Sequence, residues 1–197
     1  TAGVKRLVFA SSCSVYGLSD DKPRKEGDLL NPLTTYAKSK ILVEEGLKTL
    51  ALKDFTITCL RFATAAGVSP RLRLDLVLND FVASAVLKNY IEILSDGTPW
   101  RPIIHTEDMA RSFIWAIERK PRTEQQNFLT VNIGSDDWTF TMKSLAEEVS
   151  NTLGGTKVII NPEGKPDTRR YKVDFSHFKE LAPNNQPMKS IKDAVKE

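Results

Sequence analysis

The sequence predicts an α/β fold built on a parallel sheet. Three observations carry the prediction: a short apolar run at Leu7–Ala10, a long segment of helical spacing after it, and a second run rich in β-branched residues at Phe55–Phe62. Strand, long helix, strand is a βαβ unit. Such a unit requires a parallel sheet with helices on its faces.

Leu7-Val8-Phe9-Ala10 reads as a buried strand because it is apolar without alternation. Residues 20–32 are polar, with two prolines and a glycine, and read as a loop. The long helix is expected over 33–52. Ile41, Leu42, Leu47 and Leu50 have roughly helical spacing, and Thr34 or Thr35 stands where a cap is needed. A loop opens at Ser69-Pro70 and contains Arg71 and Arg73. Helices are then expected over 77–88, 107–119 and 141–153, the last stopped by Gly154-Gly155. Strands are expected at 90–94, 128–133 and 157–160, with a short extended piece at 102–105. Val173-Asp174 leads a short helix in a mixed tail.

The 197 residues suffice for one ordinary domain or two small lobes. Charge is balanced, 28 basic against 25 acidic residues, which gives no field that would draw nucleic acid or a membrane surface. No apolar stretch approaches transmembrane length, so no membrane partner is expected and the cytoplasm is the expected location. Cys13 and Cys59 read as two buried thiols in a reducing compartment, with no motif behind a disulfide. His105 and His177 are far apart, His105 reads as structural, and no metal site is expected.

Tyr36 and Lys40 stand four residues apart at the start of the long helix, so they share a face. A phenol titrates near 10 and is a poor base at neutral pH; a neighbouring ammonium favours the phenolate. The spacing alone decides nothing, since chance supplies roughly a third of such a pair in a chain of this composition. Its setting adds weight. Ser11-Ser12-Cys13-Ser14 directly follows the first strand, at the carboxyl end where open α/β sheets bind ligands.

Phe9-Ala10-Ser11-Ser12, Val15-Tyr16-Gly17, Pro32 and Tyr36–Lys40 resemble the extended short-chain dehydrogenase/reductase family, in the style of its NAD-dependent nucleotide-sugar epimerases and dehydratases. Further matches follow in order: Leu60-Arg61-Phe62, then Asp96-Gly97-Thr98, Arg101, Ile104-His105 to Asp108, and Asp167 to Asp174 with Arg169-Arg170-Tyr171. The resemblance implies a partial doubly wound parallel (Rossmann-type) sheet with a small α/β substrate-binding lobe. Residues 1–66 and 102–133 would form the C-terminal part of an NAD-binding domain, and 67–101 and 134–197 the nucleotide-sugar lobe. It implies a UDP-glucose 4-epimerase-like reaction, with a nucleotide-sugar reductase or dehydrogenase, or a non-catalytic truncated fragment, as the alternatives. It also implies a homodimer through the 33–52 helix.

Roles carry over position by position. Ser12 matches the hydroxyl that binds the reacting sugar oxygen, Tyr36 the general acid/base, and Lys40 the lysine that binds the nicotinamide ribose and tunes the tyrosine. Ala10, Ser11, Tyr36, Lys40 and Phe62 form the implied cofactor-facing set. Ser12, Thr64, Asn79, Arg101 and Arg170 form the implied substrate-binding set. Arg101 suits a diphosphate because its guanidinium is a planar, permanently charged fork. Asn79 lies near the family's polar helix-start pair, with a simple helix cap as the other reading.

Several positions depart from the pattern. Cys13 and Ser14 stand where dehydratases of the family carry an acidic pair, which argues against dehydration chemistry. Thr64 stands near a position where an asparagine is common. Glu163-Gly164-Lys165 replaces an arginine before the tail motif, leaving Lys165, Arg169 or Arg170 as substitutes. None of the 10 glycines has the G-x-x-G-x-x-G spacing that holds a dinucleotide pyrophosphate. In the family that segment precedes the first strand found here. The chain is therefore expected to be an incomplete enzyme that binds NAD poorly alone. NADP is left open, since the deciding acidic residue would lie in the absent segment.

Overall fold

The computed structural model describes residues 3–19, 22–51, 54–121, 123–161, 163–164 and 171–197. The first strand, β1 (Arg6–Ser12), runs parallel to β2 (Thr56–Phe62), and β2 runs parallel to β6 (Phe128–Ile133). The crossover from β1 to β2 is the helix α1 (Thr35–Leu50). This is the βαβ unit expected from the pattern of apolar runs. Strand β2 lies in the middle of the three, and all its residues from Ile57 to Phe62 are buried, as a strand covered on both faces must be.

A second sheet has the order β3 (Thr64–Ala66), β5 (Trp100–His105), β7 (Thr139–Thr141), with β3 parallel and β7 antiparallel to β5. A third pairs β4 (Tyr90–Ile93) with β8 (Lys157–Ile160) in parallel. The other α-helices among the described residues are α2 (Val77–Lys88), α3 (Thr106–Glu118), α4 (Met142–Thr152), α5 (Ser176–Leu181) and α6 (Ile191–Lys196).

Local chemistry explains most boundaries. The Thr34 side chain accepts from Ala37 N at 3.1 Å and starts α1. Asn89, in the left-handed region at φ 59°, ends α2. His105 caps α3, its Nδ1 accepting from Glu107 N at 3.2 Å, and Glu107 and Asp108 fill the first turn. Thr141 and Ser144 form a capping box on α4. The tail helix begins at Ser176, two residues beyond Val173-Asp174, because the Asp174 carboxylate accepts from Ser176 N.

Two clusters of buried side chains form the interior. The first gathers Val15, Leu60, Phe62, Ile104, Val131 and Ile133 with Phe175 and Phe178 from the tail. The second gathers Leu78, Phe81, Ile91, Ile103, Leu145 and Val149 with Val195. Strand β5 serves both, because alternate residues of a strand face opposite ways: Ile104 joins the first and Ile103 the second. The tail is also tied to the loop before α1. Arg24 N donates to Lys172 O, and Asp174 N donates to Arg24 O, each at 2.9 Å. Among the described residues no helix is long and apolar enough to cross a membrane.

Candidate active site

The carboxyl end of β1 breaks into a 3-10 turn at Cys13–Tyr16. Ser12 caps it, accepting from Ser14 N at 3.2 Å, which leaves the Ser12 hydroxyl proton for an acceptor in front of the sheet. Gly17 ends the turn at φ 59°. A Cβ there would lie 1.7 Å from Asn31 O, so only glycine lets the loop pass this close. The Ser14 hydroxyl oxygen is buried and has no hydrogen-bond partner among the described residues.

Helix α1 brings Tyr36 and Lys40 to this turn. Lys40 Nζ donates to Ala10 O at 2.8 Å and lies 5.2 Å from the Tyr36 ring centroid and 4.8 Å from that of Phe9. Tyr36 is 55% exposed, its ring open to a cleft of about 830 Å³. Of the residues expected from sequence, Ala10, Ser11, Ser12, Tyr36, Lys40, Phe62, Thr64 and Arg101 all line this cleft. Arg101, on β5, has its guanidinium carbon 5.8 Å from the Tyr171 ring centroid. Ser14, Arg73, Asp75 and Tyr171 line the cleft as well.

Asn79 is not among the lining residues, and its amide is engaged. Its Oδ1 accepts from Gly67 N and its Nδ2 donates to Arg73 O, both at 3.1 Å. It buttresses the loop that carries Arg73 and is not a helix cap, since α2 begins at Val77. Arg170, with Lys165 and Arg169, lies outside the described residues.

Behind the cleft lies a buried polar cluster. The Arg61 guanidinium meets the Glu44 carboxylate, Nη2 to Oε2 at 2.6 Å, with side chains only 6% and 7% exposed. Ser11 Oγ donates to Glu44 Oε1. Arg61 Nη1 donates to the Tyr16 hydroxyl at 3.1 Å, and that hydroxyl donates to Asn132 Oδ1 at 2.7 Å. Burial alone would lower the Arg61 pKa, but the bonded Glu44 carboxylate and the Tyr16 phenol outweigh it and hold the pKa above its ordinary value. Burial pushes the Tyr16 phenol up, so Tyr16 is a fixed neutral donor.

Cys13 and Cys59 are both buried, free thiols. Cys13 Sγ donates to Arg61 O at 3.0 Å, and burial drives its pKa well above the usual thiol range. It has neither charge nor access for proton transfer. Among the described residues no three His, Cys, Asp or Glu side chains gather as a metal site would require.

The family model described as the NAD dependent epimerase/dehydratase family matches residues 1–134. The chain belongs to that family. This NAD dependent epimerase/dehydratase family member is 27% identical to the UDP-glucose 4-epimerase of Bacillus subtilis (strain 168) over 165 residues, 75% of this chain and 49% of that protein. It is 25% identical to the UDP-N-acetyl-alpha-D-glucosaminuronate decarboxylase of Bacillus cytotoxicus over 211 residues, 98% of this chain and 63% of that protein. Among solved structures, MoeE5 in complex with UDP-glucose and NAD superposes with a TM-score of 0.80 at 25% identity, covering 99% of this chain and 64% of that one. The family thus spans more than one sugar chemistry at this distance. The chain spans about half the length of the UDP-glucose 4-epimerases it matches.

Proposed function

We propose that the complete protein is an NAD-dependent nucleotide-sugar epimerase of the UDP-glucose 4-epimerase kind. One observation carries the reading: Ser12, Tyr36, Lys40 and Arg101 line one cleft at the carboxyl end of β1, where Lys40 bonds Ala10 O. The names of the relatives, UDP-glucose 4-epimerases among them, support the substrate class.

The residues present fit the nicotinamide end of NAD. Lys40 uses one of its three donors on Ala10 O, and two remain for ribose hydroxyls. Ala10, Ser11 and Phe62 wall the same side, and the unpartnered Ser14 hydroxyl sits in that wall. NAD, when bound, supplies a hydride acceptor and donor for a sugar carbon.

Tyr36 takes the proton of the reacting sugar hydroxyl as the carbon is oxidised and gives it back as the carbon is reduced on its opposite face. The Lys40 ammonium, 5.2 Å from the Tyr36 ring centroid, favours the phenolate that takes the proton and that is restored when the proton is given back. Ser12 donates to the same sugar oxygen and holds it for in-line transfer. Arg101 binds the diphosphate, which lets the sugar turn over while its anchor stays fixed. Arg170 would join it in this reading. Cys13, a buried neutral thiol, and Ser14 offer no carboxyl group for loss of water, which favours epimerisation over dehydration.

The same reading assigns residues 1–66 and 102–133 to the cofactor half, and 67–101 and 134–197 to the substrate lobe. It also pairs two copies through α1, whose Leu42 is 67% exposed beside exposed Val43 and Leu50. The test is product analysis with labelled UDP-glucose and NAD. An epimerase yields the 4-epimer with no net NADH. Net NADH would make the protein a dehydrogenase, and recovery of substrate alone would contradict the reading.

A further inference from the structure

We propose that the buried Glu44–Arg61 pair is a positioning element that sets the rotation and height of α1, so that Tyr36 and Lys40 face the strand-end serines. The inference rests on the reading of Tyr36 and Lys40 as the chemical pair.

Glu44 stands one turn beyond Lys40 and two beyond Tyr36 on the same helix. Of the 16 residues of α1, only Ala37 and Glu44 are buried. Ile41 adds a partly buried contact with the first core. Burial of an aliphatic side chain stabilises without direction. A buried alanine and the partly buried Ile41 and Leu47 therefore grip the helix weakly and do not fix its rotation. The bonds of Glu44 allow neither. Arg61 Nε donates to both carboxylate oxygens, at 3.1 and 3.2 Å, and Nη2 to Oε2 at 2.6 Å. Ser11 fills a further acceptor position.

The partners of Glu44 are themselves fixed. Ser11, Arg61 and Asn132 are directly opposite one another in register across β1, β2 and β6. They form a polar row across the sheet, one residue before its strands end at Ser12, Phe62 and Ile133. Tyr16 bridges Arg61 and Asn132, and Arg61 Nη1 also reaches Glu26 O at 3.2 Å. Glu44 thus docks α1 onto a rigid rank of side chains one residue below the catalytic serine. Lys40 Nζ reaches Ala10 O only when that docking is in register.

Stability alone is a weak reason for such a pair. Exchanging a buried ion pair for apolar side chains of similar volume is often neutral or stabilising. That exchange separates the two roles. The test compares the native full-length protein with Glu44→Gln and with the double variant Glu44→Leu/Arg61→Met. It reads thermal unfolding, the rate of Lys40 modification by trinitrobenzenesulfonate located by peptide mass spectrometry, and kcat and KM for UDP-glucose. The double variant should unfold cooperatively near the native temperature, with Lys40 modified about fivefold faster and kcat reduced about tenfold or more at little-changed KM. Glu44→Gln keeps the shape and an acceptor for Ser11; it should raise Lys40 reactivity about twofold and decide the matter if the double variant does not fold. Native Lys40 reactivity in folded Glu44→Gln would overturn the proposal. Absence of turnover in the native protein would instead sink the epimerase reading, and Lys40 reactivity would still test the positioning.

Discussion

Lys40 Nζ donates to the main-chain carbonyl of Ala10 at 2.8 Å, joining the helix that carries Tyr36 to the carboxyl end of the strand that carries Ser12. One ammonium thus fixes both members of the proposed proton-transfer set. Replacing Lys40 by methionine keeps most of the side chain's bulk and removes the charge and the donors. The expected result is a loss of about 10²–10⁴ in kcat/KM, the range of a general acid/base set that has lost its support. Steady-state kinetics of the variant with UDP-glucose measures it, and a loss below about threefold would refute the role.

The two glycines with the tightest surroundings should not tolerate a side chain. A Cβ at Gly17 would sit 1.7 Å from Asn31 O, and one at Gly67, at φ +92°, would sit 2.3 Å from His105 Nε2. Each alanine substitution combines left-handed strain with a clash, and the strain alone costs about 1–3 kcal/mol. Urea unfolding should give midpoints below native for both, with Gly17→Ala the lower because backbone cannot move aside as a side chain can.

Asn79 separates a loop brace from a ligand contact. Its amide bonds Gly67 N and Arg73 O. Asn79→Ala should destabilise the fold by about 1–3 kcal/mol, because Gly67 N is left buried without a partner. UDP binding measured by calorimetry should weaken only modestly. A large loss of UDP affinity with native stability would assign Asn79 to the diphosphate instead.

The two thiols should be silent in the folded protein. Burial, with the neighbouring Glu44 charge adding to it, pushes the Cys59 pKa up to about 12, and Cys13 lies higher still. Both shifts favour the neutral form, so at pH 9 about one Cys59 in a thousand is thiolate. Ellman's reagent at pH 8–9 should titrate neither thiol until denaturant is added. Rapid titration of either in the folded state would contradict the burial described here.

Legibility in the sequence followed the range of the interaction. Helix α2 and strands β6 and β8 end at the residues their patterns indicate, because a 3.6-residue period or a β-branched run with flanking breakers is written locally. Strands β3 and β7, three residues each, are too short to show a period. Helix α6 is missing from the pattern reading of the tail, although Ser190 and Asp193 form a capping box that marks its start. In the site, the strand-end serines and the Tyr36–Lys40 pair could be named because motif and helix face are local. Glu44 could not: a glutamate beside Glu45 on an amphipathic helix reads as solvated. Its burial is decided by Arg61, 17 positions on, and the Tyr16–Asn132 bond spans 116. Asn79 went to a loop for the same reason, since its partners Gly67 and Arg73 come from a preceding irregular segment.

The central claim is that Tyr36 moves the sugar hydroxyl proton. Tyr36→Phe removes one oxygen from an exposed ring and leaves α1, Lys40 and the cleft otherwise as they are. In the full-length protein with NAD, UDP-glucose should still bind with near-native affinity by calorimetry while turnover to the 4-epimer falls to background. Near-native turnover by Tyr36→Phe would contradict the account.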